Sequence, residues 1–368
     1  MSINVNELIS TRLLEWIVTH LASENVDVIR APFWVVPIDK SDPLFKKLVS
    51  DGLDRLKITK ITGVIFHESL IFIEMSDCEG KKICVASTDS SLSKLNLNLE
   101  NKDFLESNLG FLQFAHLVTK YKLPPISKIP ISRVNVTPVF EDDILPYFPK
   151  IHILKLSDSA EVDRIEIIAL KILLEIENEA VYVKKFKDLI LSVAYSIPIK
   201  DHGWIFEQVF SAVRSQRLAN FYLGIYKLFE FFFPLDNIFN LADKLEFNNP
   251  ELVLLEYCRG ALSWNVNHQR GSRAAASYAP VGFAEICLDE TFTGQEDQIP
   301  SFKAKAIEKL TISRHALTHQ DFKSSDIKES DLLTLTLGLL TFLRDAFTQY
   351  GVRIAERRRI VQEKKQKD

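Results

Sequence analysis

The sequence predicts an α+β N-terminal region followed by an all-α C-terminal helical bundle. Three observations carry this. Before about residue 157, segments rich in β-branched and aromatic residues recur, among them VDVIRAPFWVVPI, ITGVIFHESLIFIEM and KKICVAS. Beyond residue 200, apolar residues recur at i, i+3 and i+4 with few interruptions. The chain of 368 residues also exceeds one ordinary domain, at about 150 residues each.

Residues 1–157 read as an α+β sensor or regulatory domain. Leu8, Leu13, Leu14, Ile17 and Leu21 share one face of an amphipathic opening helix over residues 6–23. The three β-rich segments follow, with DCEG supplying a turn between the last two. A helix is predicted from Asp103 to Lys120, because Phe104, Leu105, Leu109, Leu112, Ala115 and Leu117 keep helical spacing until Pro124 and Pro125 stop it. The segment RVNVTPVF then closes the unit as a short strand.

Residues 158–200 read as a helical connector. EVDRIEIIALKILLEIE and YVKKFKDLILSVAY give two helices, and the polar segment IPIKDHGW sets the main boundary near Lys200.

Residues 201–352 form the predicted bundle. Trp204 to Phe233 places nine apolar residues along one broad stripe that Pro234 ends. A second helix fits Asp236 to Phe247. A third begins after Asn249, read as a cap, with Pro250 in the first helical position, and runs to about Trp264. Asn265 to Gly282 reads as a long Gly-, Ser- and Arg-bearing loop, a length that compact domains seldom keep without a use. Phe302 to Thr318 is helical again. The last helix starts at Asp326, where Glu329 completes a capping box, and stops at Gly351. Residues 353–368 form a basic tail with seven Lys and Arg against three acids, an arrangement that suits phosphate backbones.

Several function classes are disfavoured by what the chain carries. Lys and Arg number 45 against 49 Asp and Glu, so any nucleic-acid contact has to come from a local basic patch. Cys78, Cys84, Cys258 and Cys287 form no CxxC pair and no zinc-type spacing with His, so no metal and no cofactor is expected. The N-terminus lacks a basic segment followed by an apolar run, and the most apolar stretch, FYLGIYKLFEFFFP, contains Lys227 and Glu230. A cytoplasmic protein with no membrane segment is therefore expected. The N-terminal region shows no Gly-rich phosphate loop and no Gly-x-Ser-x-Gly elbow, and its His67 and His116 are isolated.

The segment ISRHALTHQDF is the candidate to carry chemistry. It contains Arg314, His315 and His319. In metal-free RNA cleavage the ribose 2′-hydroxyl attacks the adjacent phosphate, and a group titrating near neutrality must take or give a proton. Histidine suits this without tuning. Charge gathers on the phosphoryl oxygens, where arginine offers a permanently charged bidentate fork. Five positions along a regular helix are about 500°, so the two side chains converge only if the helix ends or kinks between them.

On these residues the C-terminal region resembles the HEPN superfamily, and in particular the HEPN domains at the C-termini of bacterial abortive-infection anti-phage proteins. The matching features are the helical C-terminal domain, Arg314 and His319 with polar His315 between them, a terminal helix behind the motif, and an early Phe-rich helix carrying Glu230. Gln320 and Asp321 follow the histidine where many members have Gly. The resemblance implies a HEPN-like bundle that forms a homodimer, with two Arg/His pairs facing across one RNA-cleaving groove. By position it implies that Arg314 contacts the scissile phosphate, His319 is general base or acid, His315 orients or polarises, and Glu230 positions the arginine. An endoribonuclease of antiviral defence or toxin type is the expected function, acting on an RNA such as tRNA or mRNA. The N-terminal domain would sense a phage-derived or cellular trigger, or restrain the effector.

Beyond the motif, Arg270, Arg273 and His268 are candidates to grip RNA phosphates, with Trp264 or Tyr278 stacking on a base. The alternative function is a non-catalytic HEPN-like dimerisation or RNA-binding module.

Overall fold

The computed structural model describes residues 60–67, 70–77, 80–87, 104–107, 147–148, 151–157, 163–177, 180–198, 203–215, 217–264, 266–293, 296–319 and 327–365. The opening helix and the segments VDVIRAPFWVVPI and RVNVTPVF lie outside them. The chain divides into two compact units, Met1–Ile176 and Glu177–Asp368. That division falls inside the segment expected to be a connector.

The first unit holds an antiparallel five-stranded sheet. Its strands are β1 (Lys60–His67), β2 (Leu70–Asp77), β3 (Gly80–Ser87), β4 (Phe104–Ser107) and β5 (Ile151–Leu156), in the order β1-β2-β3-β5-β4. ITGVIFHESLIFIEM thus supplies two strands, and Asp77 pairs with Gly80 across the DCEG turn. Leu70 to Ile73 are all buried, so neighbouring residues on both faces of β2 are covered, as a continuous apolar run favours. Phe104–Ser107 corrects the start of the helix predicted over Asp103–Lys120, the rest of which lies outside the described residues: Phe104 faces Leu156 and Ser107 faces Ile153 in the ladder with β5. Pairing with β5 outweighs local helical spacing there. Helix α1 (Ile165–Ile176) buries seven residues around its circumference, the pattern of a core helix.

The second unit is helical among its described residues. Its helices are α2 (Val181–Ser196), α3 (Gly203–Val213), α4 (Leu218–Glu230), α5 (Leu235–Lys244), α6 (Glu251–Leu262), α7 (His268–Ala275), α8 (Val281–Leu288), α9 (Ile299–His319) and α10 (Glu329–Lys365). Helix α10 packs against α2, α4 and α8, and α9 packs against α8, α7 and α4. The core between them is aromatic. Phe342 meets Phe229 edge-on at 5.0 Å and Phe283 at 5.5 Å, geometries that aromatic pairs favour.

Four expectations for this region change. The Trp204–Phe233 stripe is two helices, because the chain turns at Arg214–Arg217, where Arg217 is extended (φ −121°, ψ 137°). The fold lets α3 and α4 pack side by side. A β-carbon at Gly224 would lie 2.8 Å from the Ala212 Cβ, so only glycine permits that approach without a shift. Asn249 does not cap α6; Pro250 holds the cap position with no side-chain bond. The long loop from Asn265 contains α7, whose Asn267 side chain accepts from the amides of Gln269 and Arg270.

Finally, α10 runs through Gly351 to Lys365. Glycine costs a helix about 1 kcal/mol relative to alanine, and tertiary contacts beyond it outweigh that cost. Arg353 Nη1 donates to Asp236 Oδ1 at 2.6 Å and to the Tyr278 hydroxyl at 3.0 Å, with its guanidinium 4.0 Å above the Phe239 ring. Arg357 bonds Asp243 and the Phe247 carbonyl. The tail arginines 353 and 357 are therefore anchored to α5 and the turn after it. No helix among the described residues is long and apolar enough to cross a membrane.

Candidate active site

Helices α4 and α9 meet along one line of polar contacts. Tyr222, Tyr226 and Glu230 recur every four residues and share a face of α4. The Tyr222 hydroxyl donates to the Leu310 carbonyl at 2.9 Å, the Tyr226 hydroxyl lies 3.2 Å from Thr311 Oγ1, and Glu230 Oε1 lies 3.7 Å from Arg314 Nη2. Thr311 gives its own proton to the Ile307 carbonyl at 3.0 Å, so Tyr226 is the donor in that pair. Both partners rise in number together, so the two helices run parallel and Arg314 is held level with the end of α4.

Glu230 has a second partner. His268 Nε2 sits 3.3 Å from the same Oε1, placed there by the first turn of α7. The His268 ring lies parallel to Tyr226 at 6.2 Å, meets Phe233 edge-on at 5.0 Å, and faces the His315 ring at 5.9 Å in a T-shape. Glu230, Arg314, His268 and His315 thus form one cluster. The first three are about a third exposed, at 32%, 28% and 33% of their side chains, and His315 is exposed. Burial is the main cause that pushes the Tyr226 phenol up to about 12; the Thr311 bond opposes it. Tyr226 stays a neutral donor across ordinary pH.

The cluster borders a cleft of about 360 Å³ lined by Gln208, Asn220, Tyr226, Lys227, Glu230 and Arg314, among others. Thr318 reaches it from one turn beyond Arg314, and its hydroxyl donates to the carbonyls of Arg314 and His315. The site is half-closed and carries cations, a carboxylate and imidazole together.

Of the sequence-predicted residues, Arg314, His315, Glu230 and His268 come together. His319 is the last residue of α9, and its side chain lies outside the described residues. The expected break between Arg314 and His319 is absent: α9 continues through both, so the two positions lie about 140° apart around the axis. Arg270 and Arg273 are exposed on α7, a helix rather than the expected loop. His268 sits in the acid–arginine cluster. Tyr278 is buried and donates to Asp236 Oδ1 at 3.0 Å, so it cannot stack on a base. Trp264 packs against the cluster of Ile238, Leu254 and Cys258.

Sequence reasoning missed Tyr226, Thr311, Gln208 and Asn220. The spacing of Tyr222, Tyr226 and Glu230 was a usable signal, because three hydrogen-bonding tips on one apolar face need partners. Among the described residues no three His, Cys, Asp or Glu are grouped as a metal site would need. In comparisons with known proteins, no family model, no curated protein and no solved structure matches the chain.

Proposed function

We propose that the chain is a metal-independent endoribonuclease of HEPN type, with Arg314 and His319 acting on RNA. The observation that supports it most is the Glu230–Arg314 ion pair at the rim of a half-closed cleft. An arginine serving the fold alone does not need a cleft in front of it. Here a carboxylate on α4 holds a guanidinium that is about a third exposed at the edge of one.

In the proposed reaction the ribose 2′-hydroxyl loses its proton to a base and attacks the neighbouring phosphorus. The bond to the 5′-oxygen breaks, and that oxygen takes a proton from an acid. The products are a 2′,3′-cyclic phosphate and a 5′-hydroxyl, with protons and charge balanced. Arg314 stabilises the charge on the phosphoryl oxygens. Because His319 lies about 140° around α9 from Arg314, the proton would be exchanged by the His319 of a second protomer facing that arginine. His268 stands close enough to Glu230 to be oriented by it, and the His315 ring lies 5.9 Å from that of His268. A homodimer would supply a second Arg314 and His319 to the same groove, and the N-terminal region would sense a trigger or restrain the effector in antiviral defence.

Purified protein is incubated with total RNA and tRNA in excess EDTA, comparing wild type with Arg314→Ala and His319→Ala. Chelator-resistant cleavage should fall in each variant by about 2.7 kcal/mol or more of transition-state stabilisation. Equal cleavage by all three proteins overturns the assignment. RNA binding without cleavage by the wild type identifies instead a non-catalytic RNA-binding module.

A further inference from the structure

The cleft between α3, α4 and α9 is larger than the reaction chemistry needs. Arg314, Glu230 and Thr318 stand at one side, and Gln208, Ser211 and Asn220 extend the lining along α3 and the start of α4. We infer that this cleft is a single-nucleotide subsite for an RNA strand, in which the carboxamides of Gln208 and Asn220 bond a base while Lys227 and Arg314 hold the phosphates flanking it. The inference rests on the nuclease reading and adds where one base of the substrate sits.

Charge, chemistry and size all favour this occupant. Two cations, Lys227 and Arg314, face one carboxylate, Glu230, among the lining residues, leaving one net positive charge to attract a phosphodiester. Carboxamides both donate and accept, and such side chains pair with base edges. The volume lies near the lower end of the roughly 300–1,000 Å³ range in which proteins hold small ligands, so one nucleotide fits and a duplex does not. The charged side chains of Lys227, Glu230 and Arg314 in the lining argue against a lipid or an apolar peptide anchor.

The floor of the cleft depends on the helix crossing already described. Gly224 brings α3 against α4, and a β-carbon there would lie 3.7 Å from the Gln208 Nε2 atom. The Gln208 amide therefore lies over the bare backbone of α4. Tyr226 is buried with its hydroxyl committed to Thr311, so it is not a free stacking platform. Recognition in this cleft then runs through hydrogen bonds, and base preference follows.

The test uses the full chain with a short fluorescein-labelled 2′-O-methyl RNA, which binds without being cut, read by fluorescence anisotropy. Gln208 is half-buried, and Asn220 and Lys227 are exposed, so the variants disturb folding little; their melting curves verify this. Gln208→Ala and Asn220→Ala should each weaken binding by about five- to tenfold, the effect of leaving one hydrogen-bonding partner unpaired. Lys227→Gln should lower the slope of log affinity against log salt by about 0.7. With cleavable RNA, the two alanine variants should also relax the base preference at one position beside the cut.

Wild-type cleavage with binding and base preference unchanged in Gln208→Ala and Asn220→Ala overturns the subsite and leaves the nuclease standing. Binding that is lost in those variants, with no cleavage by wild type, supports the subsite and overturns the nuclease. Free nucleoside monophosphates binding as tightly as the oligomer would overturn the strand reading in favour of a small-ligand site. Tighter binding of the matching DNA would overturn the choice of RNA.

Discussion

Replacing Glu230 by glutamine separates positioning from binding, because the two should move in opposite directions. Glutamine keeps the size of the side chain and removes its charge. Both Glu230 and Arg314 are about a third exposed and 3.7 Å apart, so their attraction is solvent-screened and falls in the range of about 0.2–1 kcal/mol for such pairs. His268, equally exposed at 3.3 Å, adds a contribution of the same order. Stability should therefore drop by less than about 2 kcal/mol, which in a helical unit of this size shifts Tm by a few degrees. Affinity for uncleavable RNA should hold or rise, since the only carboxylate among the described residues lining the cleft has lost its charge. Cleavage should nevertheless slow by about ten- to a hundredfold. That is less than the about 10²–10³ expected when a charge-stabilising donor is removed outright, because Arg314 remains but is no longer aimed. Single-turnover cleavage at saturating enzyme, anisotropy and thermal melts give the three quantities. Cleavage at the wild-type rate, or equal losses in binding and cleavage, would refute Glu230 as the residue that positions Arg314.

Three further outcomes test the fold around the site. Arg353→Ala removes two hydrogen bonds and a cation–π contact; with the guanidinium partly exposed, urea unfolding should show a loss of about 1–3 kcal/mol. A neutral change would mean that α10 is not anchored to α5. Gly271→Ala places a β-carbon 2.6 Å from the Phe233 Cβ, an overpacking of about 1–3 kcal/mol that exceeds the roughly 1 kcal/mol gain in helix propensity. Its Tm should fall and its cleavage should slow as His268 shifts, whereas a higher Tm would remove the close packing of α7 on Phe233. Alkaline titration should reveal buried phenols. Burial pushes Tyr226 up to about 12 and raises Tyr222, Tyr278 and Tyr350 as well. The unfolded chain gives up these protons near pH 10 while the folded chain keeps them, so stability is full below about pH 10 and declines as pH rises through 12. Spectrophotometric tyrosinate formation near pH 10 for all nine tyrosines, in a chain still folded, would contradict the burial.

The parts of the site legible in the sequence are those in which a polar residue breaks an apolar pattern. Glu230 in FYLGIYKLFEFFF was one, because a carboxylate among so many apolar neighbours needs a partner. Arg314 is that partner, 84 positions away in sequence, as the numbering itself gives. What stayed hidden was set by tertiary contact. The turn at Arg214–Arg217 has no proline or glycine, and the apolar stripe keeps its phase across it, so periodicity alone reads one helix. Gly271 resembled a loop residue but is needed for the close approach to Phe233, and Asn267 before an Ala-rich stretch was the overlooked cap. Gly351 looked like a stop because its opposing contacts, Asp236 and Asp243, lie more than a hundred residues back. In the first unit, four residues of strand at Phe104–Ser107 borrow their conformation from β5, which no local pattern could reveal.

The length of α10 has a mechanical consequence. At about 1.5 Å per residue its 37 residues make a stiff beam of roughly 55 Å. One end begins ten positions after His319, and the other is riveted to α5 by two arginines. A load applied to the basic end, whether a bound polyanion or a cut in the chain, is therefore felt along the whole beam and not only where it is applied. The end of α9 that carries Arg314 and the charged tail share one lever.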